Sequence, residues 1–519
     1  MTCAKENSTF RGYPADFWLA NLMELCERAA YYGFFIVLTL YLTDVIGFTD
    51  KETGFVAGIF FAGLYFLPPF VGAISDKIGF KNGLILAFAL LGLGYCLLGI
   101  CGALHDRAAA EALASTVGAV VPLPIVKGSL VGKVAAILFL LIAMVGGSFI
   151  KPLITGTVAK TTSEQNRARG FALFYWVVNI GAFSGKTLVP FIRQGLGIAY
   201  VSFFSALMAV AALLVAIFVF KPLEEGDGPV PESPLDAILG GLKEFATVMG
   251  FLFISSIAFT LRAVRLPVPA PEPPKAIVGL VEALVRVLTT PRLIVLTVIV
   301  AGFWIIQHQM YATMPKYVIR LLGEGARPEW LANVNPLVVV ICVVSVNSLM
   351  SRRRAVTSML VGMVMMPISA FCMSYGPTLE KITGPTVLSI HPLTLMMIIG
   401  IAIQGLAECF ISPRFLEYFS LQAPKGQEGL YLGFSHLHSF ISALAGFIMS
   451  GFLLDAYCPD PAKLPAGLGA AEKAAYYAQA HHIWYYFAAI GFVAAVAMYV
   501  FRHVTDRLDA RAGDATAAK

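Results

Sequence analysis

The chain contains continuous apolar runs that are each long enough to cross a lipid bilayer, and this pattern constrains its fold more than any other feature. A transmembrane helix needs about 20 predominantly apolar residues. Of the 519 residues, 58% are hydrophobic and only 13% are charged, whereas a soluble domain carries about 25% charged residues. We therefore predict an all-α polytopic membrane protein. Twelve spans are expected at residues 17–43, 54–75, 83–104, 132–158, 168–192, 198–220, 293–319, 333–350, 356–375, 392–421, 430–454 and 483–501.

The basic residues of the loops predict how these spans are oriented. Twelve crossings place both termini on one side of the membrane. If the N-terminus is cytoplasmic, the inner segments hold twice as many Lys and Arg residues as the outer segments, as the positive-inside rule requires. We expect a plasma (inner) membrane protein with both termini cytoplasmic. Because the net charge of +6 comes mostly from these loops, it does not indicate nucleic-acid binding. The eight cysteines are scattered and predict no metal site.

The spans divide into two sets of six, which defines four regions. We predict an N-terminal six-helix bundle at 1–221, a central cytoplasmic linker at 222–291, a C-terminal six-helix bundle at 292–505 and a cytoplasmic tail at 506–519. The linker contains proline-rich extended stretches, an apolar segment at 245–261 and a shorter amphipathic segment at 277–288 that favours the membrane interface. A single extra crossing would invert the second bundle, so we expect the linker to add either no crossing or a pair.

Charged residues inside the first span are its most unusual feature. Glu24, Glu27, Arg28 and Tyr31 are spaced i, i+3, i+4 and i+7, so they form one stripe on a helix. Each charge costs about 2.5–3.5 kcal/mol near the centre of a membrane helix, so the stripe must face protein or a water-filled cavity. It is either a buried ion pair that fixes helix packing or a relay for protons or substrate.

The second half of the chain shows a weak internal similarity to the first half. The polar residues of the first span have a counterpart in Gln307-His308-Gln309 of the seventh, and the basic loop after the second span has one in the arginines 352–354 after the eighth. Two repeats with polar residues at the membrane midplane are typical of secondary transporters whose site lies between the halves.

Several motifs, in the same order along almost all spans, resemble one known family. The stretch Gly72-Ala-Ile-Ser-Asp76-Lys77-Ile-Gly79-Phe-Lys81 resembles the gating loop motif of the major facilitator superfamily. Within it, the chain resembles the proton-dependent oligopeptide transporters through motifs of spans 1, 4, 5, 7, 8 and 10: Glu24-x-x-Glu27-Arg28-x-x-Tyr31-Tyr32-Gly33, Phe149-Ile-Lys151-Pro152, Arg169-Gly-Phe-Ala-Leu-Phe-Tyr175-Trp-Val-Val-Asn179-Ile-Gly181, Phe303-Trp304, Asn335-Pro336 and Glu408-x-x-x-Ser412-Pro413-x-x-Leu416-Glu417. The implied fold is two six-helix bundles around a central cavity, with extra helices in the linker.

The resemblance implies roles for individual residues. Glu24 and Glu27 would be the proton-linked acids, and Arg28 and Lys151 would hold the carboxylate of a peptide. Lys151 would exchange its partner between Glu27 and the substrate as protons bind and leave. By the same resemblance, Asn179, Asn335 and Glu417 would receive the peptide ammonium. The aromatic walls would come from Tyr31, Tyr32, Tyr65 and Trp304, although core or lipid packing is the alternative for each of these four rings.

The remaining charges of the proposed cavity depart from the family pattern. Besides Glu408, the cavity would contain Arg414, which should pair with Glu417 three residues later. His308 stands where the family carries an acid, and it is either a proton carrier or a neutral hydrogen-bonding residue. Lys186 is an extra cation that either enters the cavity or extends towards the outer interface. His436 and His438 are weaker candidates, for which packing is the better interpretation.

These residues predict a proton-coupled symporter for di- and tripeptides or related small zwitterions, working as a monomer by alternating access. The small-molecule substrate and the lipid bilayer are the expected partners, and protons replace any other cofactor. The alternative keeps the fold but moves a non-peptide anion, such as an organic anion, a siderophore or a drug, and it includes export as a direction of transport. No nucleophile–base pair is visible in the sequence, so we do not expect an enzyme.

Overall fold

A computed structural model describes residues 12–105, 126–163, 166–221, 233–263, 268–269, 271–274, 277–350, 352–423, 428–465 and 467–517. These residues form helices joined by short loops, and the part of the chain that the structure describes contains no β-strand. Two six-helix halves enclose a central cavity. The predicted fold class is therefore confirmed.

The first half follows the predicted spans closely. The second span is broken at Leu67, because Pro68 and Pro69 cannot continue the backbone hydrogen bonds of the preceding turn. In order, the six spans comprise Ala15–Leu40 with a π-helical turn at Tyr41–Ile46, Asp50–Phe66 with Pro68–Ile78, Phe80–His105, Leu130–Lys160, Arg167–Gly195 and Ala199–Phe218.

The second half contains more interrupted helices. The seventh span breaks at His308 and Thr313, and the eleventh breaks at His436, so two of the histidines lie where helices are interrupted. The twelfth helix continues through most of the predicted tail. In order, the spans comprise Pro291–Gln307 with Gln309–Ala312 and Met314–Leu322, Pro328–Ala332 with Val334–Met350, Ala355–Ser374, Pro392–Leu421, Glu428–Ser435 with Leu437–Tyr457, and His482–Ala517.

The linker adds one helix of membrane length and one short helix. Pro234–Ala263 begins beside the second and third spans and is largely exposed. Val278–Thr289 packs against the second, seventh and eleventh spans, and it thereby contacts both halves. Twelve described helices are long and apolar enough to cross a membrane. This set includes the long linker helix but not the broken second span, so the protein is a multi-pass membrane protein.

The two halves meet most closely where the second span crosses the eleventh. Gly54 lies against the backbone of Phe447, and Gly451 lies against the backbone of Asp50. A Cβ atom placed on Gly54 would come within 2.5 Å of the carbonyl oxygen of Phe447. Only glycine permits this backbone approach, which draws the halves together at one end of the molecule.

Replacing Gly54 by alanine is therefore expected to lower the melting temperature of the purified protein. The added methyl group meets a backbone oxygen that cannot move aside, and overpacking of this kind costs about 1–3 kcal/mol. Gly240 of the linker helix is the matched control, because nothing lies within 4 Å of a Cβ atom placed there. Gly240→Ala should be neutral or stabilising, since alanine favours a helix by roughly 1 kcal/mol. Equal melting temperatures for both variants would contradict the close approach.

Candidate functional site: a central cavity between the two halves

A cavity of about 340 Å³ lies between the two six-helix halves. Its volume is within the usual range of about 300–1,000 Å³ for small-molecule sites. Both halves contribute polar and aromatic side chains to its wall. The predicted site residues that line it are Glu24, Arg28, Tyr31, Tyr32, Tyr65, Lys151, Asn179, Trp304, His308, Asn335 and Glu408.

The first span supplies a guanidinium held by two carboxylates. Arg28 Nε lies 3.2 Å from Glu24 Oε1 and donates a hydrogen bond to Glu27 Oε2. The guanidinium also lies 4.8 Å from the ring centroid of Tyr31. Glu27 is buried behind Arg28 and does not line the cavity. It therefore reaches the cavity only through the arginine.

Lys151 of the fourth span points into the cavity. Its Nζ atom lies 3.5 Å from Nε2 of His436. Among the described residues, no carboxylate forms an ion pair with Lys151. Its expected pairing with Glu27 is absent from this conformation, where Arg28 occupies that carboxylate. The ammonium of Lys151 is thus available to a ligand.

The second half supplies a carboxylate that is oriented by two amides. Gln307 donates a hydrogen bond of 3.0 Å to Glu408 Oε2, and Asn335 donates one of 3.3 Å to the same oxygen. Asn179 of the fifth span also lines the cavity and donates to the carbonyl oxygen of Tyr175. A cation in the cavity would meet Glu408 together with amide groups from both halves.

His308 sits among aromatic rings at the break in the seventh span. Its ring centroid lies 6.0–6.3 Å from those of Phe61, Tyr65, Trp304 and Phe447. Its Nε2 atom is buried without a hydrogen-bond partner among the described residues. Tyr31, Tyr32, Tyr65 and Trp304 belong to the cavity wall. The predicted relay role of His308 stays a prediction.

Arg414 and Glu417 do not line the cavity, so this part of the sequence prediction is not met. Nine residues separate Glu417 from Glu408, and at 3.6 residues per turn this spacing places the two on opposite faces of the tenth helix. Glu417 is half-exposed. It accepts a hydrogen bond of 2.7 Å from Arg414, which confirms the predicted pair. Glu408 is the acid of the tenth span that faces the cavity.

Tyr175 and Gln307 are among the cavity residues that were not predicted as part of the site. Tyr175 is four residues before Asn179, so both lie on one helix face, and this spacing could have identified it. Gln307 is next to His308 in a polar cluster that the sequence had already marked. Lys186 lines the cavity and does not extend to the outer interface. His436 and His438 line it as well.

The gating loop motif lies between the second and third spans. Gly79 has φ of +86°, a conformation that favours glycine. Gly72 faces Pro152 of the fourth span. Lys81 donates a hydrogen bond of 3.2 Å to the carbonyl oxygen of Ile217 at the end of the sixth span. The side chains of Asp76 and Lys77 lie outside what the structure describes.

Ion pairs between the halves gather at one end of the cavity. Asp50 of the second span is buried and accepts hydrogen bonds of 2.8 Å from Lys316 and of 2.9 and 3.0 Å from Arg320. Arg193 of the fifth span pairs at 2.6 Å with the buried Glu329 of the eighth. The exposed pair of Lys51 with Asp455 also joins the two halves at this end. The cavity is therefore closed towards the side that the sequence predicts to be extracellular.

Known proteins share both the sequence pattern and the architecture of this chain. The family model described as Major Facilitator Superfamily matches residues 20–387. A dipeptide and tripeptide permease A of Erwinia pyrifoliae is 23% identical over 441 residues, covering 81% of this chain and 82% of the relative. Human solute carrier family 15 member 1 is 28% identical over 233 residues, covering 42% of this chain and 31% of the relative.

Solved structures extend the likeness to the whole fold. A peptide transporter in complex with sulfate superimposes with a TM-score of 0.64 at 17% identity, covering 96% of both chains. A structure titled as a bacterial homologue of the human drug peptide transporters PepT1 and PepT2 gives a TM-score of 0.64 at 18% identity, covering 95% of this chain and 99% of that one. These comparisons confirm the resemblance that the sequence motifs indicated.

Proposed function

Because the chain belongs to the Major Facilitator Superfamily, we propose that it is a proton-coupled symporter of di- and tripeptides. The relatives are named as permeases and solute carriers, and the protein is a transporter rather than an enzyme. The observation that carries the proposal is the distribution of charge in the cavity. Cations of the first half, Arg28 and Lys151, share it with the acid Glu408 of the second half.

This distribution suits a zwitterion bound between the halves. Lys151, which pairs with no described carboxylate, can bind the carboxylate of a peptide. Arg28 belongs to the same half, and its guanidinium can donate two parallel hydrogen bonds to that carboxylate. Glu408, oriented by Gln307 and Asn335, accepts the ammonium. A peptide bound in this way draws the two halves together, as alternating access requires.

The arrangement around Arg28 supports proton coupling. Glu24 and Glu27 both bind the guanidinium. In the proposed scheme Glu27, which accepts the hydrogen bond of Arg28, is the acid whose protonation weakens the hold on Arg28, while Glu24 stays ionised. The arginine then becomes available to the substrate carboxylate. Loss of the substrate and of the proton to the cytoplasm restores the original pairs. Protons are the only coupling ion that this scheme needs, and a monomer contains every group in it.

The closed end of the cavity defines the state of the cycle. In the proposed cycle the pairs of Asp50 and Arg193 close the side with fewer basic loop residues, and the substrate reaches the site from the cytoplasm, the side to which we assign both termini. Opening to the outside requires these pairs to separate. The plasma membrane, with its inward proton gradient, is the compartment in which such a cycle accumulates substrate.

Uptake of radiolabelled dialanine into proteoliposomes tests the proposal. An inward gradient of about one pH unit drives about tenfold accumulation for each proton carried, because a tenfold concentration ratio corresponds to 1.4 kcal/mol. We expect accumulation with the gradient and only equilibration without it. The absence of any dialanine uptake would refute peptide transport. Equal accumulation with and without the proton gradient would refute proton coupling.

Glu408 and Glu417 offer a paired test of the ammonium site. Glu408→Gln should weaken dialanine binding about tenfold or more, because a hydrogen bond between charged groups contributes about 1.5–3 kcal/mol. Glu417→Gln should change binding less than about twofold, since Glu417 is half-exposed and faces away from the cavity. Isothermal titration calorimetry on both variants checks this. A larger effect at Glu417 would reverse the assignment.

A second candidate function has one observation in its favour. Neither Lys151 nor Lys186 forms an ion pair with a carboxylate within the described residues, and both line the cavity. A non-peptide anion, such as an organic anion, a siderophore or a drug, would also satisfy them, and such a substrate could be exported. Arg414 does not line the cavity and gives this alternative no support. A thermal-shift screen of peptides against carboxylates would distinguish the two functions.

A further inference from the structure

We propose that Lys186 makes the cavity selective for peptides with a second carboxylate, such as those with an acidic side chain. The inference rests on the proposed peptide transport and names a substrate class within it. Lys186 is an extra cation of the fifth span and a buried part of the cavity wall.

The ammonium of Lys186 forms only part of the hydrogen bonds that it can donate within the described structure. Its exposed fraction is 1%. It donates one hydrogen bond of 3.0 Å to the carbonyl oxygen of Ala332, and it lies 5.5 Å from the ring centroid of Tyr32. A lysine ammonium has three donors. Within the described part of the chain, the other two have no hydrogen-bond partner.

The nearby acid is already engaged by neutral groups. Glu408 accepts hydrogen bonds from Gln307 and Asn335 and forms no ion pair with Lys186 in the described structure. In the proposed binding mode, Glu408 also receives the peptide ammonium. Lys186 is therefore a buried cation that forms no ion pair with a described residue, and buried charges of this kind are costly unless they are paired. A substrate carboxylate would supply that pair.

Arg28 and Lys186 lie beside the same aromatic ring of the cavity wall. The guanidinium of Arg28 lies 5.9 Å from the ring centroid of Tyr32, and the ammonium of Lys186 lies 5.5 Å from the same centroid. Both cations therefore border one region of the cavity. An extended dipeptide spans about 7 Å, so its terminal carboxylate can lie at Arg28 and Lys151 while a side-chain carboxylate reaches Lys186.

Paired peptides that differ only in charge test this selectivity. Alanyl-glutamate and alanyl-glutamine are almost equal in size and differ in one carboxylate. We expect the wild-type protein in proteoliposomes, under an inward proton gradient, to take up alanyl-glutamate about tenfold more efficiently, because the added contact is a charge-assisted hydrogen bond. Lys186→Met should bring the ratio close to one, and Lys186→Arg should keep it well above one.

Lys127 of an exposed loop provides a matched control for the loss of a lysine. Lys127→Met should keep the wild-type ratio. Equal uptake of the two peptides by the wild-type protein would overturn the proposal, and this comparison does not depend on whether any variant folds. A preference that survives in folded Lys186→Met would also overturn it. If the wild-type protein takes up neither peptide, the proposed peptide transport is refuted, and the proposed selectivity is refuted as well.

Discussion

Replacing Glu27 by glutamine should abolish proton-driven accumulation of dialanine while leaving exchange of dialanine across the membrane. Glutamine keeps the size and the hydrogen-bonding reach of the buried side chain but cannot bind or release a proton. Arg28 would keep one carboxylate partner, Glu24, in every state. We expect the accumulation ratio to fall from about ten to about one under a gradient of one pH unit. Counterflow of labelled dialanine against unlabelled dialanine, without a gradient, would measure the remaining exchange.

Glu380→Gln is the control for this experiment. Glu380 is half-exposed beside His391, far from the cavity wall, so its variant should accumulate dialanine like the wild-type protein. If Glu27→Gln still accumulates peptide when a proton gradient is applied, Glu27 is not the coupling acid. Loss of both accumulation and exchange would show a general failure of the transport cycle instead of uncoupling.

Replacing Asp50 by asparagine should open the outer end of the cavity. Asp50 is the one acid held between Lys316 and Arg320 in the described structure, and both of these cations are almost fully buried. Removal of one partner from a buried ion pair costs about 3–5 kcal/mol, and the two cations would then repel each other. Val178 lines the cavity, so Val178→Cys in a protein without its native cysteines reports access to the cavity. With Asp50→Asn added, this cysteine should react faster with an impermeant maleimide outside intact cells than it does when Asp50 is present.

Asp455 provides the matched comparison at the same end of the molecule. It joins the halves through Lys51 at 2.9 Å, but that lysine is 48% exposed, so the pair contributes less than about 1 kcal/mol. Asp455→Asn should leave the labelling of Val178→Cys almost unchanged. Equal labelling in the Asp50 and Asp455 variants would contradict the proposed closure by the buried pair.

The fold could be predicted from the sequence because the membrane imposes strict requirements. Apolar runs of sufficient length must be helices, and polar stripes such as Glu24 to Tyr31 must face the interior. These local rules identified the spans and the charged stripe of the first span, and the resemblance to a known family supplied most of the predicted cavity residues. They gave no information about Asp50, whose partners Lys316 and Arg320 are 266 and 270 residues away. At the sequence level Asp50 resembles an ordinary first-turn acid.

The tenth span shows the limit of assigning roles by resemblance. Glu408 and Glu417 both belong to the matching motif, and the ammonium site was assigned to Glu417. Helical periodicity alone separates them, because nine residues place them on opposite faces. The charge of Lys186 posed a different problem. Its depth in the membrane was evident from the sequence, but whether it faced the cavity depended on the packing of the fifth span against the eighth.

The proposed transport cycle requires protons and peptide to move together through this cavity. The most direct measurement uses proteoliposomes that hold a pH-sensitive dye in the lumen, to which dialanine is added from outside at equal pH. We predict that the lumen acidifies when dialanine enters the wild-type protein and does not acidify with Glu27→Gln. Entry of labelled dialanine through the wild-type protein without acidification would contradict the account.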